Sequence, residues 1–328
     1  MTIQTPPLDS VLETIGQTPL VELETGPDGI DCYAKLETFN PGGSIKDRIG
    51  QHILKRLLET GELSQGGTIV EPTAGNTGIG MAIAARQQDI HPIFVVPEGF
   101  SEEKETLMAA LGGEIVTTPG EAGMNGAIER AHEIAAEKPN AVVPQQFASP
   151  YNREAHAKTT GPEIIEALQG EVGAIVVGIG SGGTLMGIAD ALEKSGIDAA
   201  IVAVEPEGST FGEKFGVERT EEAYKTEGIG THEPELAELI EPDRIDDIVS
   251  VSDRAAHEEV ARLARNEGHL VGSSSGAASV ATRRVANRLQ TGDLGGPAES
   301  VVTVFPDSGE RYLSKGLYGE FADWEGKA

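Results

Sequence analysis

The chain of 328 residues has a single cysteine, Cys32, so it can form no internal disulfide. No apolar run approaches the roughly 18 residues of a membrane-spanning helix. Residues 1–10 also lack the basic and apolar segments of a signal peptide. We therefore expect a cytoplasmic protein without a membrane partner. Aromatic residues are scarce at 4%, but the 38% of hydrophobic residues are enough for the cores of two domains.

Basic residues are few beside acidic ones: 25 Lys and Arg against 53 Asp and Glu give a formal net charge of −28. This charge excludes general binding to nucleic acid, because nothing would neutralise the phosphate backbone. The acidic residues are spread along the chain, so at low ionic strength they repel one another. At molar salt the Debye length falls to about 3 Å and this repulsion is screened. The charge thus favours a salt-adapted protein from a halophile.

Apolar, strand-like runs alternate with amphipathic helical patterns, and Val21–Leu36 is typical of a hairpin. The predicted strands are Thr68–Val70, Pro92–Val96, Glu114–Val116, Val142–Pro144, Ala174–Val177, Ile201–Val204, Ile248–Val251 and Ser300–Val304. This alternation predicts an α/β protein with two doubly wound open-sheet domains. A weak seam at Phe147–Pro150 separates them, and we expect the ligand between the domains, at the carboxyl ends of strands.

The segment Asn40–Arg48 places a lysine in a chemically unusual position. Pro41–Gly43 predicts a turn, and Ser44 with Asp47 has the spacing of a capping box. Lys46 should therefore lie in the first turn of a helix, beside unpaired N–H groups and the positive end of the dipole. This environment would lower the amine pKa and favour a nucleophilic lysine that forms a Schiff base. The alternative is a surface lysine that Asp47 neutralises.

Three glycine-containing turns each follow a predicted strand and open a helix. The first, Glu71–Gly78, offers N–H groups and hydroxyls that suit a carboxylate, although it is also compatible with a merely tight loop. The second, Gly178–Thr184, has the glycines and hydroxyl donors of a phosphate cradle. In the third, Val271–Gly276, a run of serines offers neutral hydrogen bonds or only caps the helix that follows.

The second turn also matches the G-x-G-x-x-G pattern, and Glu205 ends the next strand, where dinucleotide-binding folds place an acidic residue. An NAD-dependent dehydrogenase is therefore a competing hypothesis. Two observations weaken it: Ser181 and Thr184 suit a terminal phosphate better than a pyrophosphate, and Lys46 would have no role. A reactive lysine, a phosphate cradle and a carboxylate-binding loop together indicate a pyridoxal phosphate enzyme that acts on an amino acid.

The chain resembles the cysteine synthase and cystathionine β-synthase family, which has the fold-type II, tryptophan synthase β-like architecture of pyridoxal phosphate enzymes. The motifs that carry the resemblance, in order along the chain, are Thr18–Val21, Asn40–Arg48, Thr73–Gly78, Gln145–Phe147, Thr160–Glu163, Gly180–Thr184, Gly228–Gly230 and Pro306–Tyr312. The resemblance implies a smaller mobile domain over residues 39–151. It also implies a larger domain, made of residues 1–38 and 152–328, that carries the phosphate-binding loop.

The resemblance also implies roles for individual residues. Lys46 would hold pyridoxal 5'-phosphate as a Schiff base and act as the proton-transferring base. Asn76 would bond the ring oxygen of the cofactor, and Ser274 would meet its pyridine nitrogen. The phosphate-binding residues would be Gly180, Ser181, Gly182, Gly183 and Thr184. The residues that hold the substrate carboxylate would be Thr73, Ala74, Gly75, Thr77 and Gln146. No metal is predicted.

The implied reaction is β-replacement, in which O-acetyl-L-serine and sulfide give L-cysteine and acetate. Two departures from the family pattern leave the substrates open: Ala74 stands where a serine is usual, and Thr231–Pro234 replaces a more apolar segment near the active-site mouth. Ser181 in place of a threonine should be a mild change. Cystathionine synthesis from serine and homocysteine, and the use of O-phosphoserine, remain alternatives. The resemblance further suggests a homodimer and, in parts of the family, a complex with serine acetyltransferase. The acidic net charge suggests a haloarchaeal source.

Overall fold

The computed structural model describes residues 7–99, 101–216, 223–232, 237–294 and 298–318. The strands are β1 (Leu20–Glu22), β2 (Asp31–Leu36), β3 (Thr68–Pro72), β4 (His91–Pro97), β5 (Glu114–Thr118), β6 (Ala141–Val142), β7 (Ala174–Gly178), β8 (Ala200–Pro206), β9 (Asp247–Val251) and β10 (Ser300–Phe305). The α-helices are α1 (Lys46–Thr60), α2 (Asn76–Gln87), α3 (Glu102–Ala110), α4 (Gly123–Glu137), α5 (Pro150–Lys158), α6 (Thr160–Ala167), α7 (Gly183–Lys194), α8 (Asp253–Arg262) and α9 (Ser273–Thr291). Short 3-10 helices cover Val11–Thr14, Glu37–Phe39, Gly120–Ala122, Phe211–Phe215, Pro242–Arg244 and Gly309–Lys315, and Leu263–Glu267 is a π-helix.

The chain divides into two compact units. The smaller consists of Met1–Thr18 and Phe39–Gln145, and the larger of Pro19–Thr38 and Gln146–Ala328. The sequence suggested that residues 1–38 all belong with the larger domain, and the structure differs in the first part of that segment. Hydrogen bonds explain the difference: Asn40 Oδ1 accepts from the Gly16 N–H at 2.9 Å, and Gln51 Nε2 donates to the Leu12 carbonyl at 3.1 Å. Residues 146–151, predicted to be in the smaller domain, belong to the larger unit.

The smaller unit contains a four-stranded parallel sheet in the order β5-β4-β3-β6. The chain runs outwards from β3 through β4 to β5, and α4 then returns it to the other side of β3, where it forms β6. The direction of winding therefore reverses between β3 and β6. In open α/β sheets such a reversal opens a crevice at the carboxyl ends of the strands, and ligands bind there.

The larger unit contains a six-stranded sheet in the order β1-β2-β10-β7-β8-β9. The antiparallel pair β1–β2 is the predicted hairpin, and the other pairs are parallel. From β7 the chain winds outwards through β8 to β9, and α8 and α9 return it to β10 on the other side of β7. This sheet therefore has its own reversal point, between β7 and β10. Seven of the eight predicted strands lie within observed ones, whereas the predicted Val142–Pro144 shares only Val142 with β6. The α/β prediction is confirmed.

Two helices of the smaller unit approach each other closely at glycines. A β-carbon built on Gly50 in α1 would stand 2.4 Å from the backbone of Gly80 in α2, closer than any real contact. Only glycine permits this crossing, because any side chain at either position would force the backbones apart. The crossing fixes the first turn of α1 against α2. None of the described helices is both long and apolar enough to cross a membrane.

Candidate active site

Lys46 is the first residue of α1 and is half-buried. The predicted first-turn position is thus observed, but the predicted capping box is wrong. Ser44 Oγ accepts a hydrogen bond from the backbone N–H of Lys46 itself, at 3.2 Å. The Asp47 carboxylate, fully buried, reaches back past Ser44 and accepts from the N–H of Gly42 at 2.5 Å. Asp47 therefore closes the preceding turn, which holds the start of α1 in place.

The three predicted glycine turns share one structural property. Each opens a helix whose N-terminal flanking residue is a glycine: Gly75 before α2, Gly182 before α7 and Gly272 before α9. A glycine has no side chain with which to cap the N–H groups of the first turn. Some of these groups are used within the turns, since the Gly183 N–H donates to Ser181 Oγ at 3.4 Å and the Ser275 N–H to the Gly272 carbonyl at 3.1 Å. The remaining N–H groups and the positive end of the helix dipole favour an anion or another acceptor in the loop.

The first turn lies at the carboxyl end of β3, where the smaller sheet reverses. Thr73 Oγ1 accepts from the Gly75 N–H at 3.3 Å, which holds the loop in a tight curve, and Asn76 is the first residue of α2. The residues Thr73 and Thr77 are each 3% exposed, so the turn carries two buried hydroxyl groups, and Ala74 between them is also buried. Hydroxyls and the N–H groups of a helix start are donors that suit a carboxylate, and Lys46 belongs to the same unit.

The second turn lies at the carboxyl end of β7, where the larger sheet reverses. Gly182 has a φ of +83°, and a β-carbon there would stand 2.3 Å from Ile240. A β-carbon on Gly183 would stand 2.1 Å from the amide oxygen of Asn152, and one on Gly180 would stand 3.2 Å from the Gly228 carbonyl. Other residues of the protein pack directly against these glycines, so there is no room for a side chain at these positions of the loop. With the first turn of α7, the loop forms a cradle that fits a phosphate group.

Thr184, the second residue of α7, contacts a buried histidine. Its Oγ1 lies 3.2 Å from Nε2 of His156, whose Nδ1 lies 2.8 Å from Thr160 Oγ1. The His156 side chain is 0% exposed. The imidazole therefore links the cradle to the start of α6 and restricts the rotation of the Thr184 hydroxyl.

The third turn begins α9 and carries Ser274, which is buried. The segment before it pairs with the end of β10 through a bridge between Val271 and Ser308, and the Gly272 N–H donates to the Asp307 carbonyl at 3.2 Å. Since β10 is the parallel neighbour of β7, Ser274 lies at the same edge of the sheet as the phosphate cradle. Two predicted elements of one cofactor site thus come together in this unit.

Glu205 ends β8, as the dehydrogenase hypothesis requires, but its carboxylate is already engaged. Oε2 accepts from the Gly212 N–H at 3.2 Å and Oε1 from the Ser250 hydroxyl at 3.0 Å, and the residue is 1% exposed. A dinucleotide would need this carboxylate free to bind its ribose. The arrangement therefore disfavours a nicotinamide cofactor.

The segment after Gly228–Gly230 is held by hydrogen bonds from its neighbours. The Thr231 carbonyl accepts from the N–H of Thr210 at 2.9 Å, and the His232 ring lies 5.0 Å from the ring of Tyr224. Burial, and then the negative charges of Glu205 and Asp253, raise the pKa of Tyr224, so its phenol stays neutral. Glu233 and Pro234 lie outside the described residues.

Sequence reasoning missed two residues of this region, Asn152 and His156. Both lie on α5, which packs beneath the phosphate cradle, and both are buried. The signal was a polar residue at every fourth position, Asn152, His156 and Thr160, in a stretch where a buried helix face should be apolar. Gln146, the predicted ligand of the substrate carboxylate, is 6% exposed and precedes this helix.

Comparisons with known proteins agree with this geometry. Residues 11–307 match the family model of pyridoxal-phosphate dependent enzymes. The chain is 43% identical over 315 residues to an O-acetylserine dependent cystathionine beta-synthase of Bacillus subtilis, covering 95% of this chain and 98% of the relative. It is 40% identical over 317 residues to a cysteine synthase of Helicobacter pylori, with 95% and 99% covered.

Among solved structures, the cysteine synthase of Entamoeba histolytica superimposes with a TM-score of 0.86 at 33% identity, covering 97% of this chain and 94% of that one. These matches cover nearly the whole chain, and they are consistent with the two sheet reversals and the glycine cradle described above. The chain belongs to the family of pyridoxal-phosphate dependent enzymes.

Proposed function

We propose that the protein makes L-cysteine and acetate from O-acetyl-L-serine and sulfide. The observation that carries the proposal is the tight turn at Thr73–Thr77, with its buried hydroxyls at the start of α2, in the unit whose helix α1 begins at Lys46. It supplies a place for an amino-acid carboxylate and a lysine in one unit. The relatives named cysteine synthases, which match almost the whole chain, support the same activity.

The proposed mechanism assigns a task to each group of residues. Pyridoxal phosphate, when bound, withdraws electrons from the α-carbon of the amino acid. Lys46 holds the cofactor covalently, and its neutral amine then removes the α-proton as a general base. Thr73–Thr77 and Gln146 orient the substrate through its carboxylate. Gly180–Thr184 anchor the phosphate of the cofactor.

Two further residues tune the cofactor. Asn76, at the first position of α2, would donate to the ring oxygen. Ser274 would offer a neutral hydroxyl to the pyridine nitrogen, which would not enforce a protonated ring. The weaker electron withdrawal would favour loss of a group from the β-carbon over transamination. The net reaction breaks the bond between the β-carbon and the acetate oxygen and forms a bond between that carbon and sulfur.

A second candidate is cystathionine synthesis, in which homocysteine replaces sulfide. The relative from Bacillus subtilis, named for its O-acetylserine dependence and its cystathionine product, favours it. Serine and O-phosphoserine are the alternative donors. A comparison of kcat/KM for sulfide and homocysteine, each with O-acetylserine, serine and O-phosphoserine, distinguishes these activities. Turnover with homocysteine alone would replace the first proposal by the second.

The primary test is the Lys46→Ala variant. It should lose the yellow absorption of the protein-bound cofactor and several orders of magnitude in turnover, since both depend on the amine. Lys55→Ala is the matched control, because Lys55 is a lysine of the same helix whose side chain is 65% exposed. Asn76→Ala should impair turnover less than Lys46→Ala does. A colourless wild-type protein that takes up no pyridoxal phosphate would contradict the proposal.

We also propose that the protein is a cytoplasmic, salt-adapted homodimer. The net charge of −28 supports the salt adaptation, and the family resemblance supports the dimer and a complex with serine acetyltransferase. Analytical ultracentrifugation of the purified chain, with and without an acetyltransferase, measures both assemblies. A single monomeric species at all concentrations would exclude the dimer.

A further inference from the structure

Asn152 lies beneath the phosphate cradle and joins two segments of the larger unit. It is 1% exposed, and its Nδ2 donates to the Gln146 carbonyl at 2.7 Å and to Ser181 Oγ at 3.0 Å. A side-chain amide has two N–H donors, so these two acceptors use both. One buried residue therefore connects Gln146, the proposed ligand of the substrate carboxylate, with Ser181, the hydroxyl of the cradle.

These contacts determine where the Ser181 hydroxyl points. Its oxygen accepts from Asn152 Nδ2, and also from the Gly183 N–H at 3.4 Å. A hydroxyl oxygen has two acceptor positions and one hydrogen. With both acceptor positions taken from the protein side, the hydrogen is left to donate towards the cradle. A phosphate dianion there accepts such a bond strongly, because its oxygens carry the charge.

The position of Asn152 is fixed by packing. A β-carbon on Gly183 would stand 2.1 Å from its amide oxygen, so the first residue of α7 rests directly on the amide. The next residue along α5, Arg153, donates two hydrogen bonds of 2.6 Å to Asp190 on α7. Burial opposes the ionisation of Asp190, but the bonds from Arg153 and Arg244 hold its pKa below the ordinary value. The pair of Arg153 and Asp190 thus joins helices α5 and α7 next to the amide contact.

We propose that Asn152 is a positioning residue: it holds the Ser181 hydroxyl as a donor to the phosphate of the cofactor and fixes the backbone of Gln146 for the substrate carboxylate. This inference rests on the proposed function. It predicts that loss of Asn152 weakens the binding of two different molecules, through Ser181 for the cofactor and through Gln146 for the amino acid.

The test compares pyridoxal phosphate with pyridoxal, which lacks the phosphate, in absorption titrations of the full chain after removal of the cofactor. Asn152→Ala should raise the Kd for pyridoxal phosphate about tenfold, the factor expected for one hydrogen bond to a charged group, and leave that for pyridoxal unchanged. Ser181→Ala should do the same. The double variant should be no weaker than either single variant, because both remove the same donor.

Asn152→Asp keeps the shape of the side chain but replaces its hydrogen-bond donor by an acceptor. A carboxylate cannot donate to Ser181 and instead accepts the hydrogen of its hydroxyl, which takes that hydrogen away from the phosphate. This variant should bind pyridoxal phosphate more weakly than Asn152→Ala does, because the carboxylate also repels the phosphate dianion in the cradle. Ser279→Ala is the control, since Ser279 is equally buried and donates to Glu259 at 2.7 Å. It should lower the melting temperature without changing either Kd.

The second arm measures KM for the amino-acid donor with saturating cofactor. Asn152→Ala should raise this KM several-fold, because Asn152 donates to the Gln146 carbonyl. Ser181→Ala leaves that hydrogen bond in place and should not raise the KM. Equal losses for pyridoxal and pyridoxal phosphate, or additive losses in the double variant, would overturn the positioning role. A wild-type chain that binds pyridoxal phosphate but does not make cysteine would contradict the proposed function and leave the titration result valid.

Discussion

Gly80 faces the backbone carbonyl of Lys46 so closely that a β-carbon on Gly80 would stand 2.5 Å from that oxygen. The residue that holds the cofactor in the proposed mechanism is thus positioned from behind by a glycine of the neighbouring helix. We predict that Gly80→Ala displaces the start of α1, costs about 1–3 kcal/mol of stability through overpacking, and lowers turnover at least tenfold. Urea unfolding and steady-state kinetics measure the two effects.

A matched control for Gly80→Ala is Ala84→Gly, one turn further along α2. Ala84 is also fully buried, so this change destabilises the same helix by removing a methyl group rather than by adding one. It should lower stability and leave turnover intact at temperatures where the protein is folded. Equal activity in the two variants would show that the contact with Lys46 has no role in the reaction.

His156 should be indispensable to the larger unit. His156→Leu removes the partner of Thr160, which is fully buried, and of Thr184, which is half-buried, and leaves both hydroxyls beside an apolar side chain. A buried unsatisfied hydroxyl costs about 1–3 kcal/mol, so we expect the free energy of unfolding to fall by about this amount, mainly through Thr160. His91→Leu is the control, because the His91 side chain is 53% exposed and pairs only with Glu114. Comparable losses in the two variants would refute this role.

The thiol of Cys32 should be inert in the folded protein. Burial, and then the negative charge of Asp31, raise its pKa to about 12. The folded state therefore holds the proton more tightly than the unfolded state. This contribution to stability is complete below the unfolded pKa and is lost as the pH rises through about 12. The free energy of unfolding, relative to that of Cys32→Ala, should thus decline across this alkaline range.

A thiol reagent gives an independent measurement on Cys32. At neutral pH the folded chain should react only as fast as it opens, and the urea-unfolded chain should react at once. Rapid modification of the folded protein at neutral pH would contradict the burial of this side chain.

Salt should stabilise the protein. If repulsion among the acidic residues opposes folding, the melting temperature should rise as KCl increases from about 0.1 to 2 M, because the Debye length shortens. NaCl should act similarly, since screening depends on ionic strength. Salt bridges such as that between Arg153 and Asp190 are partly buried and should weaken little. A constant or falling melting temperature in both salts would exclude the salt adaptation.

The sequence predicted the strands well because buried parallel strands are continuous apolar runs, and it predicted the first two glycine turns because a strand must turn before the next helix. The third turn, Val271–Gly276, opens a helix as predicted but follows the π-helix Leu263–Glu267 rather than a strand. The capping box at Ser44 was predicted wrongly. Spacing alone could not show that the Asp47 carboxylate bonds to the N–H of Gly42 instead. Asn152 and His156 were missed for a similar reason: their partners Ser181 and Thr184 are distant in sequence, and only the folded backbone brings them together.

The hairpin β1–β2 is the first part of the larger sheet to be synthesised, yet β2 pairs in parallel with β10, residue Asp31 beside Ser300. Until the last strand is made, one edge of β2 has no partner within its sheet. Closing so long a loop is slow, and an exposed strand edge is a template for association with other chains. The larger unit can therefore complete its sheet only after β10 has been synthesised, and its yield should depend on how well β2 is protected until then.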